Sequence, residues 1–419
     1  MKLESNKSQF PLKKDIDFLI VSYGGGHIRT VLPVAEELIK KGFSVCVFAL
    51  TTAIEEVNKT NIPFFSYKDL PQANNTTSIS YGKFLSNEIE NKGIIDFDET
   101  IAYLGINFLD LSKQYGKNKA RKLWKDKGRQ AFNPIHTMID VLRQIKPKWL
   151  ITTNSPRSEK AAINAARLQN IKSICICDLL VVPESKWLKD KNFANYLFVI
   201  NKEVKNMLVK LGRPKEDIII TGNPAFDSIF DSSNLASANH YKKLNRINPA
   251  HKVILYASSP EPKTHPFNKK TGDIELPAKI ERILLEYVNK NKNVSLILRR
   301  HPSQNQNIEI SERVFKSNLE TSFNVMVHVP DLIIQVASTT GMQAILAKKL
   351  LLNIDCSIFT EDTPYTSMGL GVGVDSLEEL PDAITKILAS DEVKPSEINF
   401  ETQALKNTVN QIEKLISLN

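Results

Sequence analysis

Two patterns of apolar positions take turns along this chain. Short continuous apolar runs occur at Phe18–Ser22, Ser44–Leu50, Trp149–Thr153, Ser173–Asp178, Tyr196–Ile200 and Ile218–Thr221. A second series occupies Val253–Ser258, Val294–Leu298, Val325–Val329, Leu332–Val336 and Leu350–Ile354. Continuous runs, rather than strict alternation, predict parallel strands covered on both faces. Between them, apolar residues recur at helical spacing. After His27, residues Val31, Leu32, Val34, Ala35, Leu38 and Ile39 form one broad stripe, and Gly42 follows as a helix stop. Similar stripes cover Pro156–Leu168, Lys202–Leu211, Ala278–Val288, Gly341–Lys348 and Leu377–Leu388.

Strand and helix alternation predicts α/β architecture with two Rossmann-like, doubly wound parallel sheets. A chain of 419 residues exceeds one ordinary core. The Ser-, Asn- and Ala-rich stretch between Asn223 and Lys252 separates the two series. The expected domains are 1–225 and 226–419, with the last helix available to pack back on the first domain. Pro71–Ser80 and Ser259–Leu276 read as loops.

Composition adds limits. The chain is 42% hydrophobic and 24% charged, as soluble globular proteins are. No apolar run approaches the ~20 residues that span a bilayer. Met1–Lys14 lacks the apolar region of a secretory signal. Cys46, Cys175, Cys177 and Cys356 are scattered, and Cys175 and Cys177 would share one strand face as buried thiols. A reducing, cytoplasmic setting is expected. Net charge is +9, concentrated in Lys113–Arg129 around Tyr115 and Trp124. That stretch reads either as a solvated helix face or as a patch for anionic lipid headgroups or an acidic acceptor. No nucleic-acid recognition motif accompanies it.

Four constellations could carry chemistry. Gly24-Gly25-Gly26-His27 joins a strand to a helix, where backbone N–H groups face a ligand and a histidine can move a proton. It lacks the dinucleotide fingerprint, and Thr51-Thr52 stands where an acidic ribose ligand would follow the second strand. Arg299-Arg300-His301-Pro302 closes a buried strand; its cations call for an anionic ligand or an internal carboxylate. Ser338-Thr339-Thr340-Gly341, followed by Gln343, places hydroxyls at a helix start and suits phosphate. Thr360-Glu361-Asp362-Thr363 offers groups for sugar hydroxyls, or is a solvated loop. Asn223 and Pro224 end a strand near the domain boundary, and Asp178 ends another without an assigned role.

These residues resemble the GT-B superfamily of nucleotide-sugar glycosyltransferases over nearly the whole chain. Gly26–Leu38 with Lys41–Val45 looks like the family's N-terminal signature, Ile220–Pro224 with Asp227 like its hinge-entering segment, and Ser338–Ala344 like its donor-diphosphate turn. The resemblance implies two Rossmann-like domains facing a cleft and closing over substrates. It implies a UDP-linked sugar donor, no cofactor and no metal. His27 would be the base. Arg299, Arg300, His301, Ser338, Thr339, Thr340, Gly341 and Gln343 would bind the donor. Gly25, Gly26, Asn223, Glu361 and Asp362 would touch sugar or acceptor. By the same analogy the acceptor is a glycan or lipid-linked hydroxyl in bacterial surface-glycan synthesis, at the inner face of the cell membrane. The Arg299–Pro302 element, with the Ser-Thr element, also resembles capsule transferases that use CMP-activated sugars. Non-hydrolysing UDP-N-acetylglucosamine 2-epimerases share the hinge segment, but their Gly-His-Arg-Arg element is replaced here by Ser258–His265. Epimerase, CMP-sugar transferase and non-catalytic sugar-nucleotide or polyanion binder stand as alternatives.

Overall fold

The computed structural model describes residues 15–89, 95–265, 268–301, 304, 311–317, 320–389, 395 and 401–418. The segment Met1–Lys14 and Pro302 lie outside the described residues. The chain divides into two compact units, Met1–Ala225 with Gln403–Asn419, and Phe226–Thr402.

The first unit is built on seven strands: β1 (Phe18–Tyr23), β2 (Val45–Leu50), β3 (Phe64–Phe65), β4 (Trp149–Thr153), β5 (Lys172–Ile176), β6 (Tyr196–Val199) and β7 (Ile218–Ile220). They lie parallel in the order β3-β2-β1-β4-β5-β6-β7. Every residue of β1, β2 and β4 is buried, which is why their sequences are apolar throughout. The order reverses between β1 and β4, and ligands of such sheets bind above that crevice. Helix Gly26–Lys40 lays Ile28, Val31, Val34, Ala35 and Leu38 into the core. It stops at Gly42, whose φ of +91° suits glycine alone. The C-terminal helix Ala404–Ser417 adds Val409, Ile412 and Leu415 to this same core.

The second unit has six parallel strands: β8 (Lys252–Ala257), β9 (Val294–Arg299), β10 (Val314–Lys316), β11 (Leu332–Gln335), β12 (Leu350–Ile354) and β13 (Val372–Val374). Their order is β10-β9-β8-β11-β12-β13, with the reversal between β8 and β11. Helices Leu276–Lys290 and Leu380–Ala389 contribute Ile280, Leu284, Tyr287, Ile384 and Ile387 to its core.

The structure departs from the pattern-based reading in three places. The run expected as a strand at Val325–Val329 is a short helix, Phe323–Met326, because the Ser322 hydroxyl accepts from the Asn324 N–H and starts it. The expected loop Pro71–Ser80 is a 3-10 turn at Pro71–Asn74 followed by helix Thr76–Ser86, capped by Asn75. That helix pairs with Phe97–Tyr115 at close range. A Cβ on Gly82 would stand 2.2 Å from the Ile101 carbonyl oxygen, and one on Gly105 would stand 2.0 Å from that of Ser78. The third departure is at the sheet edges, where β3, β10 and β13 were not anticipated. Runs this short carry no period. Cys175 and Cys177 are buried free thiols, while Cys356 is exposed. Among the described residues no helix is long and apolar enough to cross a membrane.

Candidate functional site

In the first unit, the site grows from the end of β1. Gly24 packs against Thr52 so closely that a Cβ would stand 2.0 Å from its hydroxyl oxygen. Gly25 adopts φ +71°, where a side chain would be strained. Gly26 then opens the helix, and His27 occupies its first turn.

His27 Nδ1 lies 2.9 Å from Thr153 Oγ1, at the end of β4. The Thr153 hydroxyl itself donates to Glu159 Oε2. Its oxygen therefore accepts from the imidazole, so Nδ1 carries the proton and Nε2 the lone pair. Glu159 is completely buried, and accepts the Tyr23 N–H on Oε1 at 2.8 Å and the Thr153 N–H on Oε2 at 2.9 Å. Burial pushes the Glu159 carboxyl up, while His27, Thr153 and the two N–H donors pull it back. Asp178 Oδ2 stands 3.4 Å from His27 Nδ1, on the side opposite β1 from β2 in strand order, just past β5. Once His27 takes a proton on Nε2, Asp178 and Glu159 both face the new charge.

Asn223 ties this layer together. Its Nδ2 donates to the Asp178 carbonyl at 2.6 Å, and its Oδ1 accepts from the Ala225 N–H and lies 3.1 Å from the Thr30 hydroxyl. It is buried and occupied, whereas Gly25 and Gly26 are open to solvent. Sequence reasoning missed Thr153 and Glu159 and left Asp178 without a role. The signal for Thr153 was its place at a strand end beside the first βα turn; nothing local marked Glu159.

In the second unit, Ser338 begins helix Thr339–Leu346, and its hydroxyl accepts from the Thr340 N–H at 3.3 Å. Gln335 Oε1 accepts the Ser338 N–H at 2.7 Å, and Tyr365 donates to the Ser338 carbonyl at 2.8 Å. Thr339 is exposed; Thr340 Oγ1 is buried without a hydrogen-bond partner among the described residues. Gly341 is buried against the Tyr365 ring, which a Cβ would meet at 2.9 Å. Gln343 donates to Asn324 at 2.9 Å.

Arg299 donates to Ser317 Oγ at 2.8 Å and to the Thr321 carbonyl at 3.1 Å, and lies over the Phe323 ring. Arg300 is ion-paired with Glu281, its Nε at 3.0 Å from Oε2. His301 is exposed, and its N–H donates to Gln304. Glu361 pairs with Lys270 at 2.7 Å and Asp362 with His265 at 2.9 Å, so the loop after β12 is fastened to the loop after β8. Among the described residues no cluster of three or more His, Cys, Asp or Glu side chains could hold a metal ion.

Both units, with parallel sheets reversing order at β1/β4 and β8/β11, are the paired Rossmann-like units of the GT-B fold. Comparison with known structures agrees. UDP-GlcNAc 2-epimerase from Neisseria meningitidis, bound to UDP-GlcNAc, is similar at TM-score 0.59 and 16% identity, over 96% of this chain and 100% of that one. MurG from Acinetobacter baumannii gives TM-score 0.52 at 14% identity, over 95% of this chain and 99% of its own. A glycosyltransferase from Rickettsia africae gives 0.50 at 13%, over 96% and 97%. These likenesses define the fold. The family described as CDP-glycerol:poly(glycerophosphate) glycerophosphotransferase matches residues 178–335, a minor part of the chain. No curated protein matches it in sequence.

Proposed function

We propose that the protein is a transferase that passes a group from a nucleotide-activated donor to a hydroxyl acceptor, with His27 as the base. The observation that carries this reading is the His27–Thr153–Glu159 chain, which leaves the imidazole Nε2 as a proton acceptor above the β1/β4 crevice. With a sugar donor, the acceptor oxygen attacks the anomeric carbon, the carbon–phosphate-oxygen bond breaks, and the nucleoside diphosphate leaves. His27 takes the acceptor's proton. The leaving phosphates would be held at the Ser338–Gly341 turn, with Arg299 and His301 nearby in sequence to the end of β9 and Arg300 kept by Glu281. A UDP-linked sugar is the donor favoured by the likeness to UDP-GlcNAc-binding structures.

A second reading is favoured by the family match over 178–335. There the donor is CDP-glycerol. The acceptor oxygen attacks the β-phosphorus, the bond to the bridging oxygen breaks, and CMP leaves with glycerol phosphate transferred. His27 serves the same role. A membrane-borne acceptor in either case is supported by helix Lys117–Lys127, which shows Lys119, Arg121, Lys122 and Lys125 to solvent, with Tyr115 exposed beside it and Trp124 turned inward.

The test is nucleotide release from UDP-GlcNAc and from CDP-glycerol, with and without hydroxyl acceptors. Acceptor-dependent UDP release supports sugar transfer, and CMP release supports the second reading. Conversion of UDP-GlcNAc to its 2-epimer without acceptor would point to an epimerase instead. His27→Ala should lower turnover about 10²–10⁴-fold while sparing donor binding; full activity in that variant removes the base assignment.

A further inference from the structure

Between β4 and helix Ser158–Leu168 stands Arg157, in a conformation that arginine avoids. Its φ is 67° and its ψ −115°. Glycine would sit there without strain, and backbone strain held by the surrounding fold gathers at functional positions. The guanidinium lies 4.6 Å over the Tyr23 ring at the end of β1, and Nη1 reaches the Tyr103 hydroxyl at 3.3 Å. Its Nε is buried with no hydrogen-bond partner among the described residues. Among the described residues no carboxylate pairs with it. Neighbouring Glu159 spends both oxygens on Tyr23 and Thr153.

Lys160 repeats the pattern one turn on. It lies 4.9 Å over the Trp187 ring, beyond β5, and again no described carboxylate pairs with it. The two cations thus lean to either side of the end of β4, the strand that presents Thr153 to His27. Buried Arg213 meets Asp217 and half-buried Arg300 meets Glu281, whereas Arg299 and Arg313 rest on hydroxyl and carbonyl oxygens. Glu159 is near enough to act on the Arg157 charge but not to pair with it; a half-buried guanidinium with an unanswered N–H is costly, and an anion from outside supplies an acceptor.

We propose that Arg157 binds an anionic group of phosphate or carboxylate type. On the reading above, that group belongs to the acceptor, which makes the acceptor an acidic molecule. An arginine backed by an aromatic ring offers a planar fork to two oxygens at once.

The experiment is calorimetric titration of the full chain with inorganic phosphate, and separately with malonate, at constant ionic strength. Arg157→Gln should weaken phosphate binding about tenfold or more, and Arg157→Lys by less, because it keeps the charge and loses the fork. Phosphate binding unchanged in Arg157→Gln overturns the proposal. Substitution at a strained position can disturb folding, so the wild-type chain supplies a second readout. Phosphate should slow phenylglyoxal modification of Arg157 severalfold; an unaltered rate, or no modification at all, also overturns it. Malonate binding at the same residue assigns the carboxylate source, and phosphate binding alone assigns the phosphate source. If phosphate binds at Arg157 while no nucleotide donor is turned over, the transferase reading fails and the anion site stands.

Discussion

At the scale of single residues, the direction of one hydrogen bond decides what His27 can do. Thr153 donates to Glu159 and accepts from Nδ1, so the base is Nε2. Glu159→Gln, with its amide oxygen kept on the Tyr23 N–H, turns its N–H₂ toward Thr153 at the expense of the Thr153 N–H bond; the Thr153 hydroxyl then donates to Nδ1, and the proton moves to Nε2. The expected result is a switch of tautomer in the nitrogen-15 spectrum of His27 and a loss of turnover near that of His27→Ala, about 10²-fold or more. Unchanged imidazole resonances would show that Glu159 does not position the ring. None of this was legible beforehand. A glycine turn ending in histidine is a visible signal, but Glu159 meets Tyr23 and Thr153 only because β1 and β4 are neighbours in the sheet. The reverse lesson comes from Arg300. Its charge is conspicuous in the sequence, yet Glu281, on a helix before β9, already answers it.

At the scale of elements, the helices between β3 and β4 are held by two different devices. One is close packing at Gly82 and Gly105. Alanine normally favours a helix over glycine by about 1 kcal/mol. Here Gly82→Ala drives a Cβ into the Ile101 backbone, so the sign should invert, with a loss of about 1–3 kcal/mol in denaturant unfolding. The other device is Glu99, in the first turn of Phe97–Tyr115, which accepts the Lys68 N–H at 3.0 Å. Burial raises its carboxyl to about 7. In the unfolded chain it titrates near ~4.3. Between those values the folded state binds more protons, so this contribution to stability is full below ~4.3 and is lost as pH rises through about 7. Glu99→Gln should flatten that fall, worth about 4 kcal/mol at most, when unfolding is compared at acid and alkaline pH. These helices escaped the hydrophobic pattern because Phe97–Tyr115 is buried on nearly all sides, with Ile101, Leu104, Ile106, Phe108 and Leu111 spread around it rather than along one stripe.

At the scale of the whole molecule, the chain leaves its first unit after Ala225 and returns to it at Gln403. The returning helix fills a gap over helix Gly26–Lys40 with Val409, Ile412 and Leu415, while Lys41 and Glu413 meet at 3.0 Å on the rim. The exposed ion pair adds little, and the apolar side chains about 5 kcal/mol as an upper figure. A chain ending at Thr402 should therefore show faster amide exchange in β1, β4 and helix Gly26–Lys40, with the sheet of the second unit unaffected. Equal protection in the first unit would mean that the helix is not part of its core.

The sequence by itself determined the two parallel sheets, because strands covered on both faces must be apolar throughout and their helices must be striped. It also marked the turns before His27 and Gly341, where a strand end, a glycine and a helix start coincide in a few residues. Tertiary structure alone decided the edge strands, too short to carry a period, and the partners of the charged groups. A carboxylate chooses between Thr153, Lys270 and Arg300 by position in space, and strand order, not proximity in the chain, sets that position.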